Sequence, residues 1–172
     1  MAEALLISRK DIVKFTALNG NVDTDQFIQF IKIAQDKHIQ NYLGTDLLEA
    51  IQTKITGSTL SGDYLNLVND YIKPMLIHWA MVEYLPFASI TISNKGVYKH
   101  TSETGESLSK EDIDYLIEKE RDTAQYYTDR FISYMSFNAS SKFSEYYSNN
   151  DSDTDFYSVT KENIEQLMVE NN

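Results

Sequence analysis

The sequence predicts an all-α protein: a small helical bundle of four to five helices with a protruding loop or β-hairpin and an extended C-terminal arm. Three observations carry that expectation. Apolar residues recur at three- and four-residue spacing in successive blocks of the 172-residue chain. The blocks are bounded by residues that favour helix ends, Ser, Thr or Asp in front and Gly or Asn behind. Only six Gly and two Pro are present, too few for a turn-rich β chain.

Ser8 is placed to cap a short first helix in which Ile12, Phe15 and Leu18 share a face, ended by Asn19-Gly20. Asp23 is a good N-cap for the next. Asp25 sits in its first turn, Phe27, Ile28, Phe30, Ile31, Ala34, His38 and Ile39 recur at helical spacing, and Tyr42-Leu43-Gly44 closes it with a glycine. Thr45 then caps a short helix carrying Leu47, Leu48, Ile51 and Ile55, which Gly57-Ser58 ends. The third block, opened by Ser61 or Asp63, is the most apolar. Tyr64, Leu67, Val68, Tyr71, Ile72, Met75, Leu76, Trp79 and Ala80 form one wide stripe, as expected of a helix at the centre of a bundle. Pro74 removes a hydrogen bond and clashes with the Asp70 carbonyl, so a kink or break is expected over 71–73; Pro86 should bend the far end.

Residues 93–108 alternate briefly between Asn, Gly and Ser punctuation, which reads as the protruding loop or hairpin. Ser109 and Asp112 form a capping-box-like pair before the clearest helix. Its apolar face runs through Ile113, Leu116, Ile117, Ala124, Tyr127, Phe131, Tyr134 and Met135, with Glu120 among them and an end expected near Asn138. Composition shifts after Ser140: from residue 145 onward the chain holds seven acids and one base, Lys161. The chain therefore divides into a bundle core over 1–140 and an acidic, flexible arm over 141–172. Within the arm, Phe156-Tyr157-Ser158-Val159 has strand character, and Thr160 is placed to cap a short helix with Ile164, Leu167 and Met168 on one side.

Apolar residues make up 42% and charged residues 24%, enough for one packed domain. The absence of Cys excludes a disulfide scaffold, a thiolate zinc site and a cysteine nucleophile. A net charge of −11 disfavours binding to phosphate backbones or anionic membrane. No apolar run approaches the length of a membrane span, and the first residues lack a basic, apolar leader. A cytosol-like compartment, or a particle assembled in one, is the expectation.

No catalytic, cofactor or metal residues are expected. The three histidines, His38, His78 and His100, have no metal-ligand spacing, and His38 and His78 read as core-border residues. No phosphate-cradling loop or nucleophile elbow is present. Glu83 and Glu120 fall on apolar faces. A pair of such carboxylates suits general acid–base chemistry, whereas pairing with Arg121, Lys119 or a subunit neighbour suits a border acid, and the second reading is preferred. Twelve tyrosines are present. Tyr146, Tyr147, Phe156 and Tyr157, on a linker-like background, read as interface residues, and Val159 and Leu167 as part of a segment that orders on a partner.

The chain also contains Ala34-Gln35-Asp36-Lys37-His38-Ile39-Gln40-Asn41-Tyr42-Leu43-Gly44-Thr45-Asp46-Leu47, then Tyr71-Ile72-Lys73-Pro74-Met75-Leu76-Ile77-His78-Trp79-Ala80, Leu85-Pro86 and Asn94-Lys95-Gly96-Val97, before a final long helix. In this order of elements, over residues 5–140, it resembles the head–tail connector (head-completion adaptor) proteins of tailed bacteriophages. The likeness is closest to those of Bacteroidetes-infecting, crAss-like phages. The resemblance implies a structural virion protein rather than an enzyme, assembled in the host cytoplasm and located at the head–tail junction. It implies a homo-oligomeric ring, expected to be a dodecamer, that binds the portal protein and the next tail or ring protein. DNA would pass through the lumen without sequence-specific binding. It also implies that residues 93–108, with Lys95, Val97, Tyr98 and His100, and the arm over 141–172 make inter-ring contacts. Two other readings stand beside it: a small acidic adaptor or DNA mimic that binds a basic host protein, and a helical hydrolase using Glu83 and Glu120.

Overall fold

A computed structural model describes residues 4–16, 24–88, 90–93, 96–99 and 109–148, the two short strands by backbone only. It is an all-α bundle. Helix α1 spans Arg9–Phe15 and α2 spans Thr24–Ala34; a π turn over Gln35–Ile39 leads into α3, Gln40–Leu43. Then come α4 (Thr45–Thr56), α5 (Gly62–Leu67), a second π turn (Val68–Ile72), α6 (Lys73–Tyr84) and a 3₁₀ turn (Leu85–Phe87). Strands β1 (Ile90–Ser93) and β2 (Gly96–Lys99) precede the long α7 (Lys110–Lys142) and the short α8 (Glu145–Ser148).

Sequence chemistry fixes the helix ends. Asp11 Oδ2 accepts from the Ser8 amide at 2.8 Å and the Ser8 hydroxyl at 2.7 Å, closing the start of α1. The Asp112 amide donates to Ser109 Oγ and the Ser109 amide to Asp112 Oδ2, both at 3.1 Å, so α7 begins in a reciprocal capping box. Gly44 joins α3 to α4 at φ +78°, ψ 160°, a conformation open essentially to glycine alone.

Helix α6 is the axis of the fold. Met75, Leu76, Ile77, Trp79, Ala80, Met81 and Val82 are all buried, so nearly its whole circumference is enclosed. It packs against α2 on one side and α7 on another, while α2 and α7 have at most marginal contact with each other. The expected disturbance around Pro74 takes the form of the second π turn. Pro74 has no N–H to give to Asp70; the Lys73 amide instead reaches five residues back to the Val68 carbonyl, and the widened turn accommodates the ring without breaking the rod. Pro86 likewise lies in the 3₁₀ turn that ends α6.

Four expectations are revised. Helix α1 stops at Phe15: the backbone of Thr16 is extended, at φ −128° and ψ 170°, while its amide and hydroxyl close the last turn on the Ile12 carbonyl, at 3.0 and 2.8 Å. Ile12 is buried but Phe15 points outward; Leu18 lies outside the described residues. In α2, Ile28 is exposed while Phe27, Phe30, Ile31 and Ala34 face the core; in α7, Leu116 is exposed. The antiparallel hairpin starts at Ile90 rather than residue 93, with Ile90 opposite Lys99 and Ser93 opposite Gly96. The boundary expected at 140 falls inside α7. Ala139 and Phe143, four residues apart, continue the buried stripe past two exposed serines, and Phe143 is 0% exposed. Tyr64 packs edge-on against Phe143, with ring centroids 5.2 Å apart, and donates its hydroxyl to Glu145 at 2.7 Å. Burial, reinforced by Glu145, pushes the Tyr64 phenol up to about 12. Residues 143–148 thus belong to the bundle.

Phe143→Ala should cost about 3–5 kcal/mol in urea unfolding, the range for an emptied core phenylalanine, whereas Phe137→Ala, at a position 85% exposed, should change stability by less than about 0.5 kcal/mol.

Candidate functional site

Two groups of residues stand out: carboxylates paired with histidines beside α6, and large apolar side chains left on the outside of α1, α2 and α7. Glu83 accepts from Lys37 Nζ at 2.7 Å, and its Oε1 lies 2.9 Å from His38 Nε2. Glu120 Oε2 lies 2.7 Å from His78 Nδ1. The His38 ring stacks on Trp79 at 4.0 Å and 9°, and the His78 ring lies parallel to Tyr127 at 5.4 Å and 5°. Trp79 Nε1 donates to Thr128 Oγ1 at 3.1 Å, and that threonine is fully buried. The indole therefore meets the π turn after α2 through its face and α7 through its edge.

This arrangement supports the border reading of the two acids, with histidines rather than Arg121 or Lys119 as their partners. The cleft lined by Glu83, with Lys37, Phe87, Asp114 and Arg121, does not include Glu120. The cleft at His78, lined also by Asp11, Lys14, Phe15, Lys73 and Tyr127, includes neither acid. Among the described residues no cluster of three or more His, Cys, Asp or Glu is disposed to hold a metal, and no helix is long and apolar enough to cross a membrane.

Burial beside Trp79 lowers the His38 imidazole below its ordinary 6.5, outweighing the upward pull of Glu83. Burial alone would raise Glu83, but the hydrogen bonds and charges of Lys37 and His38 prevail and hold it below 4.5. Both shifts make the folded state bind fewer protons than the unfolded chain in acid, so stability should fall as pH drops.

Of the residues expected to make contacts, Val97 and Tyr98 lie in β2 opposite Ile92 and Thr91. Tyr146 packs against the core, and burial pushes its phenol up to about 12. Tyr147 stands edge-on to it at 5.6 Å and is exposed. Lys95, His100, Phe156, Tyr157, Val159 and Leu167 lie outside the described residues.

Sequence reading passed over the larger exposed surfaces. Tyr115, Tyr126 and Phe137 project from α7 at 59, 60 and 85% exposure. They are spaced by eleven residues, close to three full turns, so they form one line along the outer side of the helix. Tyr71, Arg130 and Tyr134 join Tyr126 and Phe137 around a shallow groove. On α1 and α2, Val13, Phe15, Ile28 and Ile33 are exposed. The signal was present in the sequence as the eleven-residue spacing, but that line runs beside the stronger buried stripe and becomes distinct only when the inward side of α7 is known.

His38→Gln gives a direct check on the pH coupling. Wild-type stability in urea should decline as pH falls through 6.5, the variant should lack that part of the decline, and the loss at lower pH from Glu83 should remain.

No curated protein and no solved structure matches the chain. A family model matches residues 39–156, more than half of the chain, from the end of the first π turn to beyond α8. Its description is Family of unknown function, DUF6712, and the chain belongs to that family.

Proposed function

We propose that this protein is a structural subunit that joins copies of itself head to tail into a ring. In this reading it serves as the head–tail connector proteins of tailed bacteriophages do, beneath a portal and above the next tail component. The observation that carries the reading is that large apolar side chains are left exposed on elements that have at most marginal contact with each other: Val13 and Phe15 on α1 and Ile28 and Ile33 on α2, against Tyr115, Tyr126 and Phe137 on α7.

A contact between unlike surfaces cannot be satisfied within one pair. Each copy keeps a free surface of each kind, so copies add until the rotation closes a ring. Aromatic side chains are favoured at the buried centres of such contacts, since they bring large area with few rotors. The −11 net charge fits a channel through which DNA slides, because a negative wall repels phosphates. The resemblance over residues 5–140 supplies the class of assembly. The hydrolase reading has less support, since its two carboxylates, Glu83 and Glu120, line no common cleft among the described residues.

Negative-stain microscopy of the protein mixed with purified portal protein should show a ring stacked coaxially on the portal. Tyr115→Asp, at a position 59% exposed, should keep the helical circular-dichroism spectrum and lose the ring. A wild-type chain that stays solitary when mixed with the portal protein, or that turns over a substrate at a defined pocket, would overturn the reading.

A further inference from the structure

We infer that the contact between neighbouring copies is made by α1 of one subunit lying across the N-terminal half of α7 of the next, a basic apolar surface against an acidic apolar one. The inference rests on the ring reading and names its interface.

Basic charge is scarce in this chain and locally concentrated. Of 15 Lys and Arg residues, Arg9, Lys10 and Lys14 fall within one short helix, whose single acid, Asp11, is engaged by Ser8 and lies 3.9 Å from Lys73. Around those lysines Val13 and Phe15 are exposed, Phe15 at 55%, and Lys14 Nζ sits 5.0 Å from the centre of the Phe15 ring. Lys10 and Lys14 therefore lie on the side of α1 opposite the buried Ile12, with Val13 and Phe15 on its two flanks, a positive face with apolar edges within an otherwise acidic molecule.

The first three turns of α7 carry the converse. Glu111, Tyr115, Glu118 and Asp122 follow the spacing of one helical line, and Asp114 stands next to it; all five are exposed. Lys110, Lys119 and Arg121 stand beside the line; Lys119 lies 4.0 Å from Asp122 and over the Tyr115 ring at 5.6 Å, and Arg121 shares a cleft with Asp114 and Glu118. Acids outnumber bases there, and the aromatic at the centre is 59% exposed.

The two surfaces cannot serve each other inside one subunit. Helix α1 packs on α6, and its Asp11, Lys14 and Phe15 border a cleft whose one α7 residue is Tyr127. Glu118 and Glu111 lie nine and sixteen residues nearer the start of α7, roughly 14 and 24 Å along the rod. A second copy can present its α1 there, and opposite charges then fix register and exclude the reverse pairing.

A charge-swap experiment tests the contact. In one variant Lys10→Glu and Lys14→Glu reverse α1; in the other Asp114→Lys and Glu118→Lys reverse α7. All four positions are exposed, and circular dichroism verifies that each variant is folded. Mass photometry, at the concentration or with the portal protein at which the wild type assembles, should show each variant alone as a monomer. The mixture should assemble, because the acidic α1 of one variant meets the basic α7 of the other. If the wild type assembles and either variant assembles alone, or if the mixture fails to recover, the contact is wrong while the ring reading stands. If the wild type stays monomeric even with the portal, both fall.

Discussion

The fold depends on one indole. Trp79 lies near the middle of the central helix and is held from two directions, its face by the His38 ring and its Nε1–H by Thr128. Those contacts tie the element following α2 and the helix α7 to α6 at one level. The buried hydroxyl of Thr128 also donates to the Ala124 carbonyl at 2.8 Å, so both the indole N–H and the threonine hydroxyl are partnered. The flanking histidine–carboxylate pairs then continue the junction toward solvent, where Lys37 neutralises Glu83. Aromatic packing at the far end of α6, where Phe27, Phe30, Tyr84 and Phe87 meet at 4.8–5.5 Å, closes the bundle over the 3₁₀ turn.

Most of this architecture was legible in the amino-acid sequence, because it rests on local signals. Ser8, Ser61 and Ser109 start helices, Gly44 and Gly57 punctuate them, and the stripe from Leu67 to Ala80 marks the central rod. The misses have a common cause. Periodicity shows that a side chain shares a face, but not whether another element covers that face, so Phe15, Ile28 and Leu116 look like core and are not. The end of α7 failed for the opposite reason, since Asn138 and the polar stretch from Ser140 looked terminal although Phe143 was to be covered by Tyr64 and Tyr134. The His38–Glu83 and His78–Glu120 pairs span 45 and 42 residues, beyond any local rule. Gln35 was missed likewise. Its fully buried amide accepts from Leu6 N–H at 3.0 Å and donates to the Ala4 carbonyl at 3.3 Å, anchoring the N-terminal segment on the π turn.

For the candidate surfaces the sequence offered composition more readily than position. Abundant tyrosine pointed to contacts, and residues near 146 drew attention because they sit beside an acidic tract. Tyr146 instead completes the packing of α8, while the exposed aromatics belong to the middle of the best-formed helix. A continuous helix can carry both kinds of residue at once: the 3.6-residue turn sorts Ala124, Phe131 and Met135 to one side and Tyr115, Tyr126 and Phe137 to another.

That sorting makes the length of α7 a matter of phase. Its 33 residues form a rod of about 50 Å. Adding or losing a single residue between Tyr115 and Phe137 would swing one end of the outer row by about 100° relative to the other, taking it off the line. A gain or loss of three whole turns would leave both rows aligned and alter only the height of the rod. Side chains of α7 can therefore change one position at a time, while its length can evolve only in steps of whole turns.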